Sequence, residues 1–200
     1  MPEVKRYLKT GLILKAKYLI DMTPENKLGR SFFIRDALQV APDLLGKNLV
    51  IRSGINFFQK YKITETEAYI GLDDKACHAS KGRTARTEVM FHEGGKIYVY
   101  LVYGMYWMLN FVTGPAESPQ AVLIRGLDKY SGPGKLTRAL GIDKSYYGED
   151  LFSSDRIWVE DNDCVPRIRS GKRIGVDYAG DEWSNKPWRY YIESSGSRKY

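Results

Sequence analysis

From Ile97 to Ala116 the chain runs twenty residues without one charged side chain. A segment this apolar must leave water, either in a core or in a membrane, since twenty residues is also the length of a spanning helix. Its content argues for a core. Tyr98, Tyr100, Tyr103, Tyr106, Gly104, Gly114 and Asn110 fall inside it, and its Val, Ile, Phe and Tyr favour strands. The expectation is a buried β-hairpin, Lys96–Tyr103 followed by Trp107–Val112, and no membrane partner. Its tip, Tyr103-Gly104-Met105-Tyr106, exposes large aromatics at a cost unless something covers them.

The rest of the chain supplies partners for such a hairpin. Strands are predicted at Asn48–Ser53, Lys62–Tyr69, Ala121–Leu127, Ile157–Val159, Lys172–Val176 and Trp188–Glu193, from β-rich runs bounded by turn residues. Ser31 is expected to cap a helix reaching Leu45, with Gly46 as its stop and Pro42 splitting it in two. Short helices fit Lys135–Leu140 and Gly148–Phe152. The predicted fold class is α+β: one compact mixed domain with an antiparallel β core, short peripheral helices and a protruding hairpin. With 43% hydrophobic and 28% charged residues, wholesale disorder is excluded.

Charge and rare residues narrow the chemistry. The net charge of +7 divides as +6 over residues 1–60, −1 over 61–124 and +2 over 125–200. Residues 1–30, with Lys5, Arg6, Lys9, Lys15 and Lys17, read as a basic N-terminal extension ahead of a domain at 31–200. It is either a surface segment or an arm for DNA or self-association. Two His and two Cys, with no CxxC, HxH or HExxH spacing, leave no metal site in the expectation. The cysteines, 87 positions apart, form no disulfide framework, and a reducing compartment fits them.

Four segments carry potential chemistry. In Thr64-Glu65-Thr66-Glu67-Ala68-Tyr69, strand alternation puts Glu65, Glu67 and Tyr69 on one face. That face is either a general base beside an aromatic wall or a solvated edge. Next comes the loop from Gly71 to Met90, with Cys77-His78, Lys81, Arg83 and Arg86. The Tyr-rich hairpin is the third. The fourth, Ser131-Gly132-Pro133-Gly134-Lys135-Leu136, lacks the first Gly and the Ser/Thr of a P-loop. A phosphate-binding turn, a DNA-binding hairpin and a plain turn all remain open for it.

Taken in order, these segments, with Val122-Leu123-Ile124-Arg125, Arg173-Ile174-Gly175-Val176 and Lys186-Pro187-Trp188-Arg189, resemble the 3-methyladenine (alkyladenine) DNA glycosylase family from about Ser31 to Glu193. The resemblance implies base-excision repair: damaged purines are flipped from double-stranded DNA and their N-glycosidic bond is hydrolysed, without metal, redox cofactor or Schiff-base lysine. It implies Glu67 as general base and Arg125 beside the reacting centre. Tyr69, His78 and Tyr100 become walls for the flipped base, and Asn110 the discriminator against guanine. Tyr103 becomes the wedge filling the gap in the duplex, with Met105 and Lys135 as further DNA contacts. Glu65 receives no role beyond structural or electrostatic support. A monomer is expected, cytoplasmic at the nucleoid in a prokaryote or nuclear in a eukaryote. Ala85 stands where family members often carry proline, and about two extra residues near Thr113–Ser118 precede Arg125.

The resemblance adds a geometric expectation. A two-residue hairpin loop would turn Asn110 away from Tyr100. A three-residue loop, Gly104–Tyr106, pairs Tyr103 with Trp107 and Tyr100 with Asn110, over one pocket. The competing reading throughout is a non-catalytic nucleic-acid-binding module on the same scaffold.

Overall fold

Strand β2 (Phe57–Ile70) is the axis of the molecule. Its first half pairs with β1 (Asn48–Gly54), and its second half pairs with β5 (Gln120–Leu127) on one edge and β9 (Arg189–Ile192) on the other. The computed structural model describes residues 26–55, 57–162 and 164–193, so the expected basic extension lies outside the described residues up to position 25. Among the described residues there are nine strands, all paired antiparallel. The main order is β3 (Ile97–Val102), β4 (Tyr106–Thr113), β5, β2, β1 and β7 (Ile157–Glu160). The short strands β6 (Tyr130–Ser131) and β8 (Ile168–Gly171) pair with β5 and β9. With four short helices in the same unit, the class is α+β, as expected.

Two helices, α1 (Arg30–Phe33) and α2 (Ala37–Asp43), cover one face of the sheet. Alternation sorts the strands cleanly between faces. Ile97 and Val99, Leu109 and Phe111, Val122 and Ile124, and Ala68 point into the helix-side core, and the Thr66 hydroxyl donates to the Ala41 carbonyl at 2.8 Å. Each fully buried Leu, Ile or Phe contributes about 1.5–3 kcal/mol, which makes this face the stabilising one. The opposite face carries Glu65, Glu67 and Tyr69, Tyr98 and Tyr100, Met108 and Asn110, and Leu123 and Arg125. Over it lie the loop from Gly71 to His92, with 3-10 turns at His78–Lys81 and Glu88–Phe91, and the segment 172–184 ending in helix α4 (Asp181–Ser184).

Several boundaries differ from expectation for identifiable reasons. The first helix starts at Arg30 with Gly29 as its cap, because the chain is already tied to the sheet through the Leu28 amide on the Val159 carbonyl. The break between the helices falls at Asp36, whose carboxylate caps the Leu38 amide at 2.7 Å. Pro42 sits inside α2, where burial of Ala37, Val40 and Ala41 outweighs one lost hydrogen bond. The predicted helix at Gly148–Phe152 is absent, because this backbone instead serves β3: the Gly148 amide bonds Ile97 and the Ile97 amide bonds Glu149. The predicted strand Lys172–Val176 is a bend, and the strand lies earlier, at Ile168–Gly171. Gly175 takes a φ of +77°, outside the strand region and open chiefly to glycine.

The hairpin loop has three residues, but they are Tyr103-Gly104-Met105. Val102 pairs with Tyr106, Tyr100 with Met108 and Tyr98 with Asn110. The pairing is therefore two residues off the expected one. A slip of two preserves faces, so Tyr100 and Asn110 still share a side.

Candidate active site

The sheet face opposite the helices floors a cavity of about 200 Å³. That is smaller than the roughly 300–1,000 Å³ of common ligand pockets, a size for one flat ring system. Tyr69 on β2 lines it with Tyr98 and Tyr100 on β3, Asn110 on β4 and Arg125 on β5. His78 reaches in from its 3-10 turn, Ile174–Val176 and Tyr178 close the far side, and Tyr103 stands at the rim. Residues from six separate chain segments meet here because the sheet presents alternate side chains of four strands to one face.

The aromatic wall is rigid. His78 and Tyr100 meet edge-on with ring centroids 4.5 Å apart, and Tyr98 lies 5.3 Å from Tyr100. The His78 Nδ1 and the Tyr98 hydroxyl are hydrogen-bonded at 2.8 Å. Burial, reinforced by the Arg86 and Lys81 charges, pushes the His78 imidazole down to about 4, so it is neutral at pH 7. Both Asn110 Nδ2 hydrogens go to backbone carbonyls, those of Tyr98 and Met108, at 3.2 Å each. With the residue only 2% exposed, its amide is locked against the cavity.

Glu67 lies just behind this wall with 0% exposure, which rules out the solvated-edge reading. Its Oε2 accepts the Tyr69 hydroxyl at 2.7 Å and its Oε1 accepts the Ile174 amide at 2.8 Å. Arg125 Nη1 stands 3.3 Å from Oε1. Burial pushes the carboxyl above the ordinary range, while Arg125, the Ile174 amide and the Tyr69 hydroxyl oppose it. The Tyr69 hydroxyl is raised well above its usual value by burial and by Glu67, so it remains a donor.

A buried ion pair that the sequence did not disclose holds the roof. Arg173 bonds Asp74 through Nη1 at 2.6 Å and Nη2 at 2.9 Å, and also donates to the Ala68 and Trp183 carbonyls. Both side chains are fully buried. The pair clamps the 172–176 segment to β2, which is what brings the Ile174 amide to Glu67. The Arg173 guanidinium also lies 4.8 Å from the Tyr69 ring centroid, and that of Arg86 5.1 Å from Tyr100. Among the described residues no group of three or more His, Cys, Asp or Glu side chains is arranged to hold a metal. No described helix is long and apolar enough to cross a membrane.

The remaining predicted residues lie on the hairpin loop and on a helix packed against the hairpin stem. Tyr103 is 87% exposed and Met105 is exposed beside it in the hairpin loop. Lys135 is exposed on helix α3 (Pro133–Ala139), whose Gly134 packs under the Tyr106 ring of the hairpin stem. The Gly132 amide is taken by the Arg125 carbonyl. Sequence reasoning missed Asp74 and Tyr178 altogether and misread the backbone that carries Ile174.

A flat-walled cavity backed by a buried carboxylate that is held against an arginine has the shape and charge to take a planar base and act on its glycosidic bond. Comparison with known proteins agrees. The Methylpurine-DNA glycosylase family profile matches residues 31–131 and 127–196, and the chain belongs to that family of DNA N-glycosylases. It is 44% identical over 184 residues to a protein of Psychrobacter cryohalolentis named "Putative 3-methyladenine DNA glycosylase", covering 76% of this chain and 87% of that one. Relatives with the same name from Methanocella arvoryzae and Legionella pneumophila are each 45% identical over 188 and 178 residues. Both alignments cover 84% of this chain, with 93% and 96% of the respective relatives.

Proposed function

We propose that the protein excises damaged purines, 3-methyladenine and related alkylated or deaminated bases, from duplex DNA with Glu67 activating the attacking water. The observation that carries this reading is the Glu67 carboxylate, fully buried yet shared with Arg125, directly behind rings able to sandwich a base. An extrahelical purine stacks against Tyr69, His78 and Tyr100, with its sugar toward Glu67 and Arg125. As the C1′–N bond lengthens, the base takes the bonding pair and positive charge develops at C1′. The carboxylate stabilises that charge and accepts a proton from the water whose oxygen bonds to C1′. A base that is cationic in DNA leaves neutral, so this step requires no acid. Asn110, unable to turn aside, is where a 2-amino group on a normal guanine collides. Tyr103 fills the vacated stack, Met105 flanks it, and Lys135 faces the phosphates.

Glu67→Gln is the test. Release of 3-methyladenine from alkylated duplex should fall by at least 1,000-fold, since base catalysis and charge stabilisation are both removed. Affinity for a duplex carrying an abasic analogue should stay within a few-fold. Excision at an undiminished rate would refute the mechanism. A wild type that binds damaged DNA but releases no base from it would favour the non-catalytic module.

A further inference from the structure

Glu65 lies outside the chemistry described so far, yet it is the carboxylate at the site that is paired to two different arginines. Its Oε1 accepts Arg125 Nε at 3.3 Å and Arg189 Nη1 at 2.9 Å. Arg125 in turn reaches Glu67 through Nη1 at 3.3 Å, and Arg189 is anchored by its Nε on the Lys172 carbonyl at 2.8 Å. Arg189, Glu65, Arg125 and Glu67 thus form a row of alternating charges crossing three strands, β9, β2 and β5. The other groups facing Glu67 are the Tyr69 hydroxyl on β2 and the Ile174 amide from the 172–176 segment. The Arg173 charge lies further off.

The backbone is shaped to make this row. Ile63 pairs with Leu127, Glu65 with Gly126 and Thr66 with Ile124, so the register shifts twice and leaves Thr64 on β2 and Arg125 on β5 bulged out of the ladder. A bulge re-aims its side chain. Here the re-aimed guanidinium presents Nε to Glu65 and Nη1 to Glu67. Gly126, opposite Glu65, suits the same arrangement: a Cβ there would lie 3.0 Å from Thr64 Oγ1 and 3.1 Å from Glu65 Cβ, a tight fit. A side chain at this position would press on Glu65 where it lies across the strand toward Arg125.

We infer that Glu65 is a positioning residue: it orients Arg125 toward Glu67 and, balanced by Arg189, sets how much of the Arg125 charge Glu67 receives. The consequence has opposite signs at the two ends of the row. Glu65→Gln keeps an oxygen acceptor for both arginines but removes a negative charge competing for Arg125. Ionised Glu67 is then favoured, and its titration moves to lower pH. Arg189→Gln leaves Glu65 to draw on Arg125 alone. Ionised Glu67 is then disfavoured, and its titration moves to higher pH. A role in folding alone would not move the two variants in opposite directions.

The experiment reads Glu67 directly. Carbon-13 NMR of labelled glutamate carboxyls in the DNA-free full chain, with Glu67→Gln identifying the resonance, gives its titration in the wild type and in both variants. The acid limb of kcat/KM for base release is measured in parallel. Opposed shifts of the resonance support the inference; shifts in one direction, or none, overturn it. This inference rests on the proposed role of Glu67 only for the kinetic arm. Opposed resonance shifts without a moving acid limb would uphold the row and refute Glu67 as the base. Glu65→Ala, which frees Arg125 to swing, should lower plateau kcat by about 100-fold, as misplacement by an ångström does. Rescue by Glu65→Gln then separates orientation from charge.

Discussion

Tyr103 combines two properties whose consequences run in opposite directions when the side chain is removed. It is 87% exposed, and its φ is +52°. A non-glycine residue in this left-handed region carries a penalty of roughly 1–2 kcal/mol. Glycine removes the penalty and returns about 0.5–1 kcal/mol of it through a more flexible unfolded chain. Tyr103→Gly should therefore stabilise the fold by roughly 0.5–1 kcal/mol, about 1–4 °C in Tm for a domain of this size. Tyr103→Ala keeps the penalty and should leave Tm unchanged. The effect on DNA runs the other way. A tyrosine buried in a base-pair gap covers about 150–250 Å², worth roughly 4–6 kcal/mol gross at ~25 cal/mol per Å². Unstacking the base consumes a few kcal/mol of that, which leaves about 2–3 kcal/mol, or roughly 30–150-fold in affinity. Calorimetry gives the first quantity, and fluorescence anisotropy on a duplex with an abasic analogue gives the second. A Tyr103→Gly protein that binds within twofold of wild type would refute the wedge, and one that melts lower would refute the strain argument.

Two further expectations follow from the aromatic wall. The His78 imidazole, held neutral to about pH 4 by burial and by Arg86 and Lys81, takes up its proton in the unfolded chain at about 6.5. The unfolded state therefore binds more protons across this window, and stability should fall as pH drops from about 6.5 to 4, by up to about 3 kcal/mol. His78→Gln should flatten that slope in urea titrations at several pH values, and an unchanged slope would contradict it. Arg86 lies 5.1 Å from the Tyr100 ring centroid, so part of the attraction of that ring for a cationic base is already engaged. Arg86→Gln should raise kcat/KM for cationic 7-methylguanine relative to neutral hypoxanthine by about 2–5-fold, the equivalent of ~0.5–1 kcal/mol. The ratio is taken in one duplex sequence so that any lost phosphate contact cancels; an unchanged or lowered ratio would show that the ring attracts without interference.

What was legible in the sequence is what depends on strand alternation. Period two places Glu65, Glu67 and Tyr69 together whatever the partners, and it survives a register error of two at the hairpin, which is why Tyr100 and Asn110 face one cavity although the expected pairing was wrong. Positions fixed by backbone accidents were not legible. The bend at Gly175 reads as strand because Arg173-Ile174-Gly175-Val176 has strand composition, and nothing local announces the φ of +77°. The bulge at Arg125 has no composition signature at all. Asp74 and Arg173, 99 positions apart, form their pair through tertiary packing that no periodicity encodes.

Three carboxylates and three arginines are paired around the cavity: Glu65, Glu67 and Asp74 with Arg125, Arg173 and Arg189. At this depth an unmatched charge would cost several kcal/mol, and the block matches three of each sign, its carboxylates coming from residues 65–74 and its arginines from residues 125–189. The matching is nevertheless uneven. Asp74 has Arg173 in a bidentate pair, and Glu65 has Arg189 and a share of Arg125. Glu67 has only the remaining share, at 3.3 Å. A carboxylate given an arginine of its own would be held ionised, but its field at C1′ would be largely cancelled. One given none, at 0% exposure, would take up a proton. Sharing one guanidinium between two carboxylates, while a second arginine serves the outer one, leaves Glu67 only partly compensated; in the proposed mechanism that residual negative potential is what favours cationic character at C1′ as the base departs.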